Sequence, residues 1–214
     1  MRFSKEPLLV GIVGGSGSGK TWLAERLKAE LGWKAALISL DDFYRDRSYL
    51  STTQRERVNY DHPRAIEWPL VEKTLNACRK GKTARVPAYD FSCHSRFSKK
   101  NVFQPRPIIL LDGLWLFRQR NLRRLFKLRI YVDCPVRLRL KRRLARDMLL
   151  RKRLRKCELQ RFWKQVEPMN AQYVVPQKRW AHIVLKSPIR ERDLCPIIGQ
   201  LTLLEDGRYK QSND

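Results

Sequence analysis

The sequence predicts an α/β fold in which one parallel β-sheet is covered by helices on both faces. Two observations support this fold: apolar runs of strand length alternate with helical or loop segments, and a glycine-rich loop joins the first run to a helix. The apolar runs, in chain order, are residues 8–13, 35–40, 108–111, 128–132 and 181–185. Strands that read as continuous apolar runs are typical of a sheet buried on both faces. With 214 residues and no repeat or linker, we expect one domain over 1–214.

The glycine-rich loop matches the phosphate-binding pattern G-x-x-x-x-G-K-[ST] without a stretched position. Its members are Gly14, Gly15, Ser16, Gly17, Ser18, Gly19, Lys20 and Thr21. Glycines bring backbone N–H groups close to an anion, Lys20 can reach the β- and γ-phosphates of a nucleotide, and the Thr21 hydroxyl can ligate Mg²⁺. Residues 22–31 carry leucines at helical spacing, which aims a helix N-terminus at the phosphates. The sequence therefore predicts a P-loop NTPase fold.

Acidic residues follow two of the other predicted strands. Asp41 and Asp42 come directly after residues 35–40, and Asp112 closes the strand at 108–111. Ligands of open parallel sheets lie beyond the carboxyl ends of the strands, so we expect all three acids on the rim that carries the glycine loop. Asp41 or Asp42 suits a general base that takes the proton of an acceptor hydroxyl. Asp112 suits a Mg²⁺ ligand, directly or through water.

A longer insertion, residues 59–104, separates the second and third predicted strands. Residues 69–79 predict a helix with Leu70, Thr74, Leu75 and Cys78 on its inner face. The stretches 59–63 and 86–96 on either side mix tyrosine, histidine, aspartate and proline, a composition that suits a small-molecule pocket built from loops. A single tyrosine or histidine is more often a structural hydrogen-bonding residue, so the pocket is a hypothesis that depends on the glycine loop nearby.

Basic residues are in large excess and are unevenly distributed. Subtracting 21 acids from 46 lysines and arginines gives a net charge of +25, and residues 118–164 carry 19 of the basic residues against three acids. Such a block can bind nucleic acid, an anionic surface or a polyphosphate ligand, or can be a solvated helical face. Residues 135–150 predict a helix with Val136, Leu140, Leu144 and Met148 in register, and 158–175 predict a second helix interrupted at Pro168. Arginines in a lid at about 143–160, where the first of these helices ends and the second begins, could close over bound phosphates.

The order of these motifs resembles the phosphoribulokinase/uridine kinase family of P-loop kinases, and within it the uridine–cytidine kinases. The resemblance covers roughly residues 8–186. The glycine loop is shared by many NTPases, whereas the combination with the following motifs is far more specific: SLDDFYR, VNYDHP, VPAYDFSCHSR, LLDGLWLF and VEPMNAQYVVPQKRWAHIVL. The resemblance implies transfer of the γ-phosphate of ATP or GTP, with Mg²⁺, to the 5′-hydroxyl of a pyrimidine nucleoside in pyrimidine salvage. It also implies a homotetramer.

The resemblance assigns roles to individual residues. Asp41 corresponds to the general base, with Tyr44 beside it, and Asp61 to the acid that binds the ribose hydroxyls. Tyr89 and His94 correspond to the pair that reads the pyrimidine edge, and Phe91 to a wall of the base pocket. Thr21 and Asp112 correspond to the Mg²⁺ site. The lid arginines of the family, which contact ribose and triphosphate, correspond to Arg143, Arg146, Arg151 and Arg153. The resemblance also makes Arg143 a catalytic residue, together with Lys20 and Asp41.

The chain also departs from the family pattern. Asp112 replaces a glutamate, so contact with the metal would run through water, and Lys152 replaces the glycine of the lid turn. Other functions therefore remain open: a related kinase for another sugar or ribosylated acceptor, a regulatory NTPase, or a nucleic-acid-binding module built on the basic block. No RNA-binding signature is present, so nucleic acid is not expected as the primary partner.

The remaining sequence features predict where the protein works. The five cysteines are scattered without C-x-x-C spacing, as expected for reduced thiols. No apolar run approaches the length of a membrane span, and the first residues lack a signal-peptide core. We therefore expect a cytoplasmic protein with no membrane partner.

Overall fold

A computed structural model describes residues 5–151 and 155–207 of the chain. The strands are β1 (Leu8–Gly14), β2 (Ala35–Ser39), β3 (Ala84–Val86), β4 (Tyr89–Asp90), β5 (Ser95–Arg96), β6 (Asn101–Phe103), β7 (Ile108–Gly113), β8 (Leu128–Asp133) and β9 (Ile183–Lys186). The α-helices are α1 (Lys20–Leu31), α2 (Thr52–Glu56), α3 (Trp68–Arg79), α4 (Arg120–Arg123), α5 (Val136–Arg151), α6 (Arg155–Arg161), α7 (Glu167–Met169) and α8 (Leu194–Asp206). All five strands predicted from apolar runs are present.

The main sheet has five parallel strands in the order β2-β7-β1-β8-β9. Successive side chains of β1 alternate between two buried clusters. Leu9 and Val13 face the core that contains Phe117 and Phe126, whereas Leu8, Val10 and Ile12 face the core formed with α1 and α8. Both faces of the sheet are therefore covered, as predicted, and every strand ends on one rim.

Helix α1 begins at the last residues of the glycine loop. Gly19 precedes it with φ of 100°, a left-handed conformation that glycine adopts without steric cost. Leu23 and Leu27 of the predicted stripe are fully buried, and Leu31 is half-buried at the end of the helix. The hydrophobic spacing thus fixes the helix against the sheet and holds the loop at the end of β1.

The insertion between β2 and β7 contains α2, α3 and two small antiparallel pairs, β3–β6 and β4–β5. Helix α3 buries Val71, Thr74, Leu75 and Cys78. Leu70, which the sequence placed on this face, is half-buried and packs against the edge of the core, and Val71 joins the fully buried residues.

Helix α5 differs from the sequence prediction in the face that it buries. The apolar register Val136, Leu140, Leu144 and Met148 is half-buried or exposed, and Met148 is 44% exposed. The buried stripe is charged instead and consists of Arg139, Arg143 and Asp147, spaced four residues apart. Because these side chains face the glycine loop and other charged groups, the helix is packed through ion pairs and not through apolar contacts.

The chain after α6 stays helical through Pro168, where the sequence predicted an interruption. Pro168 lies in the first turn of α7, where a missing N–H group costs little. The disturbance takes the form of π-helical segments on either side, Phe162–Val166 and Asn170–Val174, followed by a 3₁₀ turn at Val175–Trp180. Lys152 and Arg153 of the predicted lid lie outside the described residues.

No helix among the described residues is both long and apolar enough to cross a bilayer. The five cysteines are all free thiols.

Candidate active site

The glycine loop is held against α5 and the helical segment that follows α7. A Cβ atom on Gly17 would lie 2.6 Å from the carbonyl oxygen of Arg139, and one on Gly15 would lie 2.5 Å from Oδ1 of Asn170. Gly17 also has φ of 79°. Only glycine therefore fits at these two positions, and the loop closes with a hydrogen bond from Ser18 N–H to the Gly15 carbonyl at 3.0 Å.

Three acids meet beside the loop, as the strand-end positions predicted. The Thr21 hydroxyl donates to Oδ2 of Asp112 at 2.7 Å. Burial raises the pKa of Asp112, while the nearby Lys20 ammonium opposes the shift. Burial, together with the charges of Asp41 and Asp112, raises the pKa of Asp42 to about 6. Burial and the neighbouring carboxylates therefore both disfavour the ionised forms of Asp42 and Asp112.

The oxygens of Thr21 and Asp112 can form part of a metal site, but not a complete one. Among the described residues no group of three or more histidine, cysteine, aspartate or glutamate side chains could hold a metal alone. Thr21 and Asp112 nevertheless present neighbouring oxygens, and Mg²⁺ is usually held by one or two protein oxygens together with phosphates and water. The residues present therefore fit Mg²⁺ that arrives with a nucleotide.

A cavity opens next to the loop and collects most of the predicted site residues. Its empty volume, including space open to solvent, is about 540 Å³. It is lined by Ser16, Lys20, Asp41, Tyr44, Tyr60, Asp61, Tyr89, Phe91, His94, Leu114, Arg143, Arg146 and Arg161. Parts of the chain as distant as the glycine loop, the insertion and α5 thus share one pocket.

Aromatic rings form one wall of the cavity. The ring centroids of Tyr89 lie 5.1 Å from Tyr44 and 5.2 Å from Phe91, and Tyr60 stacks on His94 at 4.2 Å with an interplanar angle of 10°. His94 has φ of 52°, a left-handed conformation that is uncommon outside glycine and is often found at functional sites. Burial raises the pKa of Tyr44 and Tyr89, so both phenols are protonated at neutral pH. The wall offers a flat apolar surface with polar groups at its margin.

Arg143 connects the two halves of the cavity. Its Nη1 donates to the Ser16 hydroxyl at 3.0 Å and lies 3.6 Å from Oδ1 of Asp61. On its other side, Nε lies 3.4 Å from Asp147 and 3.8 Å from Glu158. Both of these acids are buried, so the guanidinium is fixed between the glycine loop and three carboxylates.

The opposite side of the glycine loop carries a second cavity, lined by Gly19, Trp22, Arg142, Ser187 and Ile189. Arg142 fixes its shape, since its Nη1 donates to the Ser18 carbonyl at 3.1 Å and to the Ser187 hydroxyl at 2.8 Å. Trp22 remains 39% exposed at the rim. The two cavities therefore lie on either side of one phosphate-binding loop.

Sequence reasoning did not single out several residues of the site. Tyr60 lies within a stretch that was predicted to line a pocket, but its neighbour Asp61 carried the prediction. Arg161 and Leu114 gave no signal of their own. The buried acids Asp147 and Glu158 could have been found in part, because Arg139, Arg143 and Asp147 recur every four residues. Of the predicted site residues, Arg153 lies outside the described part of the chain, and so does the side chain of Arg151.

The fold and the site together define a P-loop kinase: a phosphate loop, carboxylates beside it, and a cavity that opens next to both. The phosphoribulokinase / uridine kinase family model matches residues 9–193. The chain belongs to this family.

Individual relatives agree with that membership. The uridine kinase of Macrococcus caseolyticus is 38% identical over 178 residues, covering 83% of this chain and 86% of the relative. The uridine kinase of Halalkalibacterium halodurans is 34% identical over 182 residues, covering 85% and 86%.

Solved structures show the same fold at lower identity. Phosphoribulokinase from Rhodobacter spheroides has a TM-score of 0.62 at 18% identity and covers 86% of this chain and 71% of its own. D-glycerate 3-kinase from Cryptococcus neoformans has a TM-score of 0.57 at 18% identity, covering 78% and 79%. Kinases with unrelated acceptors thus share this framework, and the acceptor must be argued from the pocket.

Proposed function

We propose that this kinase transfers the γ-phosphate of ATP or GTP to the 5′-hydroxyl of a pyrimidine nucleoside, uridine or cytidine, in pyrimidine salvage. The observation that carries the proposal is the single cavity in which Lys20 and Ser16 of the phosphate loop face Asp41, Asp61 and an aromatic wall. The relatives named uridine kinase support the same acceptor.

Asp41 is the general base in this proposal. Its buried Oδ1 has no hydrogen-bond partner among the described residues, and the side chain lines the cavity next to Lys20. The carboxylate takes the proton of the 5′-hydroxyl while that oxygen bonds to the γ-phosphorus, and the bond to the β-phosphate oxygen breaks to release the nucleoside diphosphate. Asp42 is the alternative base, but it does not line the cavity and its raised pKa of about 6 lowers its charge near neutral pH.

The acceptor is recognised by the insertion. Asp61 binds the two ribose hydroxyls, because a carboxylate accepts hydrogen bonds from both. Its orientation is supported by Gln165, whose Nε2 donates to Asp61 Oδ2 at 3.2 Å. Tyr89 and His94 bind the polar edge of the pyrimidine, and Phe91 packs against its face. A pocket of this kind rejects bases that leave its buried polar groups unpaired.

Basic groups neutralise the charge that spreads over the transferred phosphoryl group. Lys20 and Arg143 border the cavity on the side of the phosphate loop, and Arg146 lines it further along α5. Preorganised cations of this kind stabilise the transition state more than the ground state. We assign Arg151 and Arg153 to the triphosphate as well, and Thr21 and Asp112 to Mg²⁺. Mg²⁺ held by Thr21 and Asp112 would neutralise charge on the phosphates during the transfer.

The donor base is assigned to the second cavity. Trp22, Ile189 and the fixed guanidinium of Arg142 provide flat and apolar surfaces for a purine, and Gly19 connects this cavity to the phosphate loop. Donor and acceptor would then approach the loop from opposite sides, which places the γ-phosphate between them.

The proposal includes a cytoplasmic location and a homotetramer. The five free cysteines support the location, because thiols persist in reducing compartments. The tetramer rests on the family resemblance, and light scattering of the purified protein tests it directly.

A steady-state assay tests the function. Purified protein with Mg²⁺ and either ATP or GTP is offered uridine, cytidine, purine nucleosides, free ribose derivatives and pantothenate. We expect phosphorylation of uridine or cytidine and none of the other acceptors at comparable concentration. Absence of phosphorylation on both pyrimidine nucleosides would refute the proposal, and turnover of another acceptor would identify the related kinase.

A further inference from the structure

A cluster of arginines lies at the end of the sheet opposite to the phosphate loop. We name it the arginine patch and define it as Arg120, Arg123, Arg124, Arg129 and Arg179. Arg120 and Arg123 belong to α4, Arg129 is the second residue of β8, and Arg179 precedes β9. Arg129 of β8 is paired with Gly11 of β1, three residues or roughly 10 Å before Gly14, where the phosphate loop begins, so the patch lies towards the other end of the strands.

Within the described part of the chain, carboxylates do not neutralise the positive charges of the arginine patch. No lysine or arginine of the patch forms an ion pair with a carboxylate in the described part of the chain, which contrasts with Arg26, Arg79, Arg96 and Arg139 elsewhere. The local sequence explains in part why ion pairs are lacking, since residues 113–132 contain six lysines and arginines and no acid. Burial lowers the pKa of Arg123, and the charges of Arg120, Arg179 and Arg124 lower it further, so these groups are close enough to repel one another.

Aromatic contacts hold part of the patch in place. The guanidinium carbons of Arg123 and Arg179 lie 4.2 Å and 4.3 Å from the centroid of the Trp180 ring. Arg129 Nε donates to the Trp180 carbonyl, and Arg123 Nη1 donates to the Phe117 carbonyl. These contacts explain Arg123 and Arg129 as structural residues. Arg179 shares the contact with Trp180 but is exposed, and no such side-chain contact within the described residues explains the exposed Arg120 and Arg124.

We propose that the arginine patch binds single-stranded nucleic acid through its phosphate backbone. Arginine presents a planar fork that matches phosphate oxygens, and the phosphates would supply the negative charge that the protein does not. A guanidinium that stacks on Trp180 also extends an aromatic stack to which an unpaired base can add, which favours a single strand over a duplex. This binding is separate from the kinase reaction.

A membrane surface fits the patch less well. Surface-bound proteins insert exposed apolar side chains beside their basic residues. Between residues 113 and 132 the large apolar side chains are buried or half-buried, and none of them is exposed. Charge without exposed apolar groups points to a polyanion in solution.

Fluorescence anisotropy with a 12-residue oligoadenylate RNA tests the proposal. The oligonucleotide carries a 5′-phosphate, so that it cannot serve as a phosphate acceptor, and a 3′ fluorophore. The same sequence as DNA, and vesicles of phosphatidylcholine with phosphatidylserine, are measured beside it. We expect saturable binding to the oligonucleotides that weakens steeply with salt, with a log–log slope of about −0.7 for each phosphate contact. Excess ATP and uridine should leave this binding unchanged.

Arg120→Glu/Arg124→Glu tests the location, and Lys73→Glu/Lys82→Glu is the matched control with the same change in net charge. Both control lysines are exposed and belong to the insertion. We expect the patch variant to lose at least about tenfold in affinity and about 1.4 in salt slope, and the control to lose less than about twofold. Kinase activity should persist in both variants, because charges more than a Debye length of about 8 Å away are screened.

Three results would overturn the proposal: equal loss in the two variants, competition by ATP, or binding to the vesicles without binding to either oligonucleotide. Binding of RNA and DNA alike supports a backbone contact, and binding of RNA alone adds a contact to the 2′-hydroxyl. Circular dichroism of both variants verifies that a loss does not come from unfolding.

Discussion

Replacing Asp61 by asparagine separates acceptor recognition from the rest of the site. A carboxylate that accepts both ribose hydroxyls makes two charge-assisted hydrogen bonds of about 1.5–3 kcal/mol each, so loss of the charge removes at most about 3–6 kcal/mol from transition-state binding. At 1.36 kcal/mol for each tenfold change, kcat/KM for uridine should fall by about 10²- to 10⁴-fold. The KM for ATP should remain nearly constant.

The cost to folding should be small, and the structure gives the reason. Asp61 Oδ1 lies 3.6 Å from Arg143, too far for a good hydrogen bond, and Arg143 keeps its contacts with Asp147, Glu158 and Ser16. An asparagine oxygen can still accept the hydrogen bond from Gln165. We therefore expect a loss in the free energy of unfolding of about 1 kcal/mol, measured by urea denaturation.

Substrates that lack one hydroxyl make the test specific. Wild-type protein should prefer uridine over 2′-deoxyuridine and 3′-deoxyuridine by a large factor, whereas Asp61→Asn should distinguish them by about threefold or less, because the partner of the missing hydroxyl has changed. If wild type and variant lose the same factor with the deoxynucleosides, Asp61 does not bind the ribose and the acceptor assignment fails. Glu72→Gln on α3, which does not line the cavity, is the control.

Three further predictions concern the catalytic corner. Asp41→Asn should lower kcat by at least about 10²-fold while ATP still binds, measured by single turnover and by calorimetry. Asp42→Asn should raise Tm at pH 8 and not at pH 3, because the raised pKa of Asp42 means that ionisation is unfavourable in the folded state; the penalty is absent below pH 3.8, grows towards its folded pKa of about 6 and is complete above it. Glu158→Gln should lower kcat more than it raises KM for uridine, because Glu158 positions Arg143 without lining the cavity.

Each of these has a clear contrary result. Retained turnover in Asp41→Asn would move the base to Asp42. A stabilisation of Asp42→Asn that is equal at both pH values would mean that the cost of ionising Asp42 in the folded state is not its origin. For Glu158→Gln, the conservative Glu158→Asp should recover part of the rate; if both variants change only Tm, the residue is structural.

The sequence predicted the sheet and the donor half of the site well because these depend on local patterns. An apolar run buried on both faces and a glycine loop require only a few neighbouring residues, as in residues 8–21. The acids Asp41, Asp42 and Asp112 were also placed correctly, since the carboxyl ends of parallel strands must meet on one rim.

Helix α5 and the helical segments after it were harder to predict, because their burial depends on partners that are distant in sequence. Helix α5 has an apolar register at Val136, Leu140 and Leu144, but its buried stripe is charged, since the surface that it meets is the glycine loop and Asp61. Likewise, Pro168 was expected to end a helix, and only the surrounding π-helical turns absorb its missing N–H group. The spacing of apolar residues along a helix does not show whether the surface that the helix packs against is apolar or charged.

The charged packing of α5 has a further consequence for the discrimination between ligands. Asp147 and Glu158 are buried acids that occupy one side of Arg143. A lone phosphate ion must compete with them for the same guanidinium, whereas a triphosphate held by the whole glycine loop adds many contacts at once. The buried acids therefore raise the threshold for anion binding and make the site selective for polyphosphates over the abundant small anions of its surroundings.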